Sequence, residues 1–171
     1  MGMAPSKKER AKPTEDEFTF SWMFNAPRDR LFRAWTEPEE LKAWWGPRHF
    51  TTPVARMELR PGGPYFNCMR SPDGRTFCSA GVFREVKAPE RLVYTDSFAD
   101  EQGNPVPPSR YGMDPAWPKE VLVEVTFSEQ GPMSKVTVLS HVPRSLAERQ
   151  MAPQGWAESM VKLSEHLEKG Q

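Results

Sequence analysis

The chain has 171 residues, a length whose default is one domain and which can bury a core without help from disulfides or metals. Lysine and arginine total 23 and aspartate and glutamate total 23, so there is no net field to hold a polyanion or an anionic membrane surface. No apolar run approaches the roughly 18 residues of a membrane span, and the basic N-terminus, with Lys7, Lys8, Arg10 and Lys12, has no apolar stretch behind it of the kind a secretory signal needs. The expectation is a cytoplasmic protein without nucleic-acid or membrane partners.

Residues 1–14 are polar and proline-punctuated without periodicity, which predicts a disordered tail ahead of one domain over residues 15–169. Phe18, Phe20, Trp22 and Phe24 recur at every second position, the pattern of a strand with one buried face. Pro27 suits the first turn of a helix carrying Leu31, Phe32 and Trp35, and Thr36-Glu37-Pro38-Glu39 reads as a capping box for a second short helix ending at Gly46-Pro47. Strands are expected over about 50–59, 64–70, 75–86 and 90–98, with turns at Pro61-Gly62-Gly63 and Pro72-Asp73-Gly74, and a last hairpin over 121–127 and 135–141. After Pro153, Trp156, Met160, Leu163 and Leu167 form one apolar stripe at helical spacing. The only surface large enough to bury that stripe is the sheet, so the fold class is α+β, with a curved antiparallel sheet around a long C-terminal helix.

Two features stand apart from this regularity. The segment from Ala99 to Pro118 holds five prolines with Tyr111, Met113 and Trp117, and a connection of that length in a compact domain is functional or mobile. Cys68 and Cys78 flank the turn at Pro72-Asp73-Gly74. With Arg70 opposite Arg75 the two sulfurs fall on opposite faces, whereas one further residue in the turn would bring them together. That register and a reducing compartment predict free thiols.

Several strings, taken in chain order, resemble a known family. They are Ala26 to Thr36, Pro38 to Leu41, Trp44-Trp45-Gly46-Pro47, Glu58 to Gly63, Pro72-Asp73-Gly74, Gly81 to Val86 leading into Pro89 to Tyr94, and Gly155-Trp156. Together, over about Glu17 to Leu167, the chain resembles the activators of the 90-kDa heat-shock-protein ATPase, a branch of the START-like (SRPBCC) superfamily. The resemblance implies a helix-grip fold with a cavity between the concave sheet and the last helix, and it brings a stress-response context. Glu58, where many relatives have aspartate, and the long segment after Phe98 depart from the family pattern.

His49, His141 and His166 form no metal-type pair, and no nucleophile elbow, phosphate loop or Ser-His-Asp order is present, so neither a metal nor a cofactor is expected. Glu85 and Asp96 are strand carboxylates near aromatic neighbours, with no helix or turn to fix them at a shared water. Six tryptophans, ten phenylalanines and nine methionines are the informative feature, because such side chains line adaptable apolar pockets as well as filling cores. The expected ligand-binding residues are Met69, Phe83, Phe98, Trp117, His141, Trp156 and Met160. Trp44, Trp45 and Trp22 are assigned to the core. The leading expectation is non-catalytic binding of a small hydrophobic or amphipathic molecule, with the segment from Ala99 to Pro118 gating entry. The alternatives are a protein-interaction module acting on a chaperone or other partner, and a cyclase- or hydrolase-like enzyme using the same cavity.

Overall fold

The structure, a computed structural model, describes residues 17–169, so the tail expected over residues 1–14 lies outside the described residues. Seven strands form one antiparallel sheet: β1 Glu17–Phe24, β2 Thr51–Met57, β3 Pro64–Arg70, β4 Thr76–Lys87, β5 Arg91–Ala99, β6 Val121–Gln130 and β7 Met133–Pro143. Their order is β1-β7-β6-β5-β4-β3-β2, so the strands from β2 onward follow one another as a meander and β1 closes on the free edge of β7. The helices are α1 Arg28–Thr36, α2 Pro38–Leu41, α3 Arg144–Arg149 and α4 Ala152–Lys169. None of them is long and apolar enough to cross a membrane.

Alternation along each strand decides which face turns inward. Phe18, Phe20 and Trp22 on β1 stand opposite Ser140, Val138 and Val136 on β7, while Val123, Val125 and Phe127 on β6 share that face. Met160, Leu163 and Leu167 on α4 are 0–1 % exposed and belong to the same core. Each such burial contributes about 1.5–3 kcal/mol relative to an exposed side chain. The curved sheet thus grips α4, as the apolar stripe requires.

Polar contacts hold the helices in place around this core. Lys162 Nζ on α4 donates to four backbone carbonyls of the turn after α2, those of Trp45 at 3.5 Å, Gly46 at 3.1 Å, Pro47 at 3.2 Å and Phe50 at 3.2 Å. In return, the Arg48 backbone N–H donates to Glu158 at 2.9 Å and its guanidinium meets Glu165 at 3.2 Å. Farther along α4, His166 reaches Glu40, which also accepts from Arg30 at 3.0 Å.

Two local expectations need correction, and one short helix was not foreseen. Thr36 does not cap α2: its hydroxyl donates back to the Phe32 carbonyl at 2.8 Å, and Glu37 takes the cap position without a side-chain bond. A threonine at the end of one helix can bond back to the carbonyl one turn behind it, and that bond competes with capping the next helix. The short helix α3 was not foreseen, since β7 runs on to Pro143 and the chain turns helical at once. The cysteines are not free thiols, for Arg70 pairs with Thr76 rather than Arg75, and Cys68 stands directly opposite Cys78 in a disulfide. The cause is the turn, in which Ser71 and Arg75 bond to each other through the backbone at 2.9 Å, so it is one residue longer than the tighter reading. The pairing also removes the thiols as an argument for a reducing compartment.

Candidate functional site

Between the sheet and the start of α4 lies a cavity of about 150 Å³. Its floor comes from the concave strand faces: Tyr65 and Asn67 on β3, Phe83 on β4, and Leu92, Tyr94 and Asp96 on β5. Val121, Val123, Ser140 and Val142 continue the wall along β6 and β7, and Trp35, Trp45, Trp156 and Trp117 close the side toward the helices. Trp156 stacks with Trp35 at 6.1 Å and meets Trp45 edge-on at 5.5 Å between ring centroids. The wall at this end is therefore a cluster of indoles held by one another.

Asp96 is the one acidic or basic side chain in this lining apart from the phenols. Its Oδ1 accepts the Tyr65 hydroxyl at 2.6 Å. Burial pushes the carboxyl up to about 6, against the opposing effect of the Tyr65 hydrogen bond. Burial, then the neighbouring negative charge of Asp96, pushes the Tyr65 and Tyr94 phenols up, which keeps both neutral. Gly81 makes this arrangement possible. A Cβ there would lie 1.8 Å from the Thr95 carbonyl oxygen and 2.7 Å from the Tyr65 ring, so only glycine lets β5 and the tyrosine come so close.

The segment from Ala99 to Pro118 is pinned at several points. Asp100 accepts the backbone N–H groups of Gln102 and Asn104 at 2.9 Å, and these bonds hold its carboxyl below the usual range. The Tyr111 hydroxyl donates to the Ala99 carbonyl at 2.5 Å and accepts from the Cys78 N–H at 3.4 Å, wedging into the end of the β4–β5 pair. The Asp114 N–H donates to Gln150 at 3.0 Å, tying the segment to the α3–α4 turn. Trp117 follows and packs against the core.

Of the residues expected at a ligand, the cavity brings together Phe83, Trp117 and Trp156, and leaves four outside. Met69 and Phe98 share the inward strand faces but lie beyond the cavity. Met69 packs beside Gly46, and the Phe98 ring lies 5.6 Å from Tyr111. Met160, one turn after Trp156, is fully buried in the core beneath. His141 faces outward, where it meets Glu124 at 2.6 Å and Glu17 at 3.1 Å, because the more apolar set of β7 (Val136, Val138 and Val142) takes the inner face. Glu85 also faces outward, paired with Arg91 at 3.1 Å. Trp45, assigned to the core from sequence, is part of the cavity wall, as are Tyr65, Asn67 and Tyr94, which were not singled out. The alternation Leu92, Tyr94, Asp96 was a usable signal for the shared face. Among the described residues, no group of three His, Cys, Asp or Glu side chains is placed to hold a metal.

A curved antiparallel sheet gripping a C-terminal helix, with two short helices after the first strand, defines a START-like helix-grip domain. The model of the family "Activator of Hsp90 ATPase homolog 1-like protein" matches residues 25–168, and the chain belongs to that family. Among solved structures, a protein from Nitrosomonas europaea is similar at 24% identity and a TM-score of 0.76, covering 93% of this chain and 98% of that one. A protein from Arthrobacter aurescens is similar at 24% identity and a TM-score of 0.75, covering 90% and 86%. The AHSA1 protein from Silicibacter pomeroyi is similar at 19% identity and 0.72, covering 91% and 99%. These likenesses are of fold. None of the curated proteins compared matches the chain at a significant level.

Proposed function

We propose that the protein binds a small apolar or amphipathic molecule in the cavity between the sheet and α4, without transforming it, and that Trp117 covers the entrance. The observation that carries this reading is the cavity itself, walled by aromatic and aliphatic side chains with a few polar groups converging in it. A volume of about 150 Å³ suits a body the size of a single substituted ring. Ligand-observed NMR with ethylbenzene tests the proposal. Saturable binding is expected in the parent and loss of it in Ser140→Leu, which fills the cavity from β7. Faster exchange is expected in Trp117→Ala, with the fold unchanged by circular dichroism. Absence of binding to the parent would overturn the reading.

A second reading, catalysis in the same cavity, is favoured by the Asp96–Tyr65 pair. A carboxyl held near neutrality beside a neutral phenol is a usable acid-base couple. Conversion of a bound molecule that stops in Asp96→Asn would put this reading ahead.

A further inference from the structure

Two carboxylates elsewhere in the fold that are buried or half-buried have cationic partners. Glu124 is held by Arg91 and His141 on the outer face of the sheet, and Glu40 by Arg30 and His166 beside α4. Asp96 is different. Among the described residues, its only hydrogen-bond partner is the Tyr65 hydroxyl on Oδ1, no donor reaches Oδ2, and no lysine, arginine or histidine lies within ion-pair distance of either oxygen. A carboxylate set in an apolar wall without a counter-charge costs stability, and a ligand that brings a positive charge relieves that cost.

The surroundings favour the same sign. The rings of Tyr65, Phe83 and Tyr94 lie 5.4–6.1 Å from one another around this part of the wall, and Trp45 and Trp156 stand on the helix side. Aromatic faces carry partial negative charge and attract cations. Neither phenol competes for the role of anion, since burial and Asp96 keep both protonated. With no lysine, arginine or histidine in the lining, a ligand carboxylate or phosphate would find neutral donors there but no counter-charge, and would face the Asp96 carboxylate.

We propose that the cavity selects a small aromatic or alkyl amine, bound as its ammonium ion with the nitrogen at Asp96 Oδ2 and the apolar body among the rings, and that it rejects anionic ligands of the same size. This assignment rests on the cavity-binding reading and adds the charge of the ligand to it.

Isothermal titration with benzylamine, its near-isostere ethylbenzene, and benzoate tests the assignment. At pH 7.5 the parent is expected to bind benzylamine roughly tenfold more tightly than ethylbenzene, and benzoate more weakly than either. In Asp96→Asn, which keeps an acceptor for Tyr65, the preference for the amine disappears while ethylbenzene binding persists. In the parent, the preference also declines as pH falls below about 6, where Asp96 takes up a proton. The amine remains charged over that range, and Tyr65 and Tyr94 remain neutral. Ethylbenzene binding without an amine preference, an amine preference that survives in Asp96→Asn, or benzoate binding as tight as that of benzylamine would each overturn the assignment and leave the cavity reading standing. Binding of none of the three would overturn both.

Discussion

Asp96 shows how one residue can work against stability where a ligand would use it. Its carboxyl is pushed up to about 6 in the folded chain from an ordinary value of 3.8. Between these values the folded state therefore holds more protons than the unfolded state, and stability falls as pH rises through that window. The penalty is complete above about pH 6 to 7 and absent below about pH 4. Asp96→Asn removes the charge and keeps an oxygen for the Tyr65 hydroxyl, so it is expected to stabilise the fold by about 1–3 kcal/mol at pH 7 and to leave it unchanged at pH 3.5. Chemical denaturation of both proteins at the two pH values checks this. An equal midpoint at pH 7 would mean that the carboxylate is already compensated. A gain that follows the charge would show that the carboxylate costs the fold stability for want of a counter-charge.

At the scale of the element, α4 is held by polar contacts as well as by its apolar stripe. Lys162 occupies a crown of four carbonyls, from Trp45, Gly46, Pro47 and Phe50. Burial and then the nearby Arg48 charge lower its pKa, yet the ammonium form is what these acceptors require. The crown fixes the turn that carries Trp45, and Trp45 rests against Trp156 on the helix itself. Lys162→Met preserves the length of the apolar stem and removes the donor, so a loss of about 2 kcal/mol is expected. Hydrogen exchange should show faster opening over residues 46–50 than in the sheet. Uniform destabilisation with no local change there would mean that the crown does not hold the turn.

At the scale of the molecule, the disulfide and the long segment cooperate at one end of the sheet. Cys68–Cys78 ties β3 to β4 over a sequence separation of 10, and Tyr111 bonds to the backbone at Cys78 and Ala99 beside it. Thiol titration of the denatured, unreduced protein is expected to count none, and after reduction two. Cys68→Ser with Cys78→Ser should cost about 2–3 kcal/mol, as closure of a short loop implies. Because Tyr111 is anchored at this same pair of strands, loosening them should also loosen the segment that brings Trp117 over the cavity. Two free thiols before reduction would return the hairpin to the shorter turn and detach this end of the sheet from that segment.

Much of the architecture follows from periodicity along the chain. The every-second-residue set from Phe18 to Phe24 could only be a strand with one buried face, and the stripe Trp156, Met160, Leu163 and Leu167 could only be a helix needing a broad apolar partner. The resemblance of the opening helices and turns to the family carried the rest of the topology, and the fold agrees with it. The site was less accessible for a definite reason. Asp96 and Tyr65 are 31 residues apart, and they meet because β3, β4 and β5 are adjacent and Gly81 leaves room between them. Local spacing cannot report such a meeting. The inner face of β7 was likewise undecided along the chain, since the set of Thr137, Leu139 and His141 could point either way until the sheet chose the more apolar set of Val136, Val138 and Val142. The hairpin register depended on one residue in a turn, and that residue decided whether the sulfurs faced apart or bonded. Periodicity is a property of neighbours along the chain and the sequence alone determines it; register, facing and convergence are properties of strands brought side by side, and only the tertiary structure decided them.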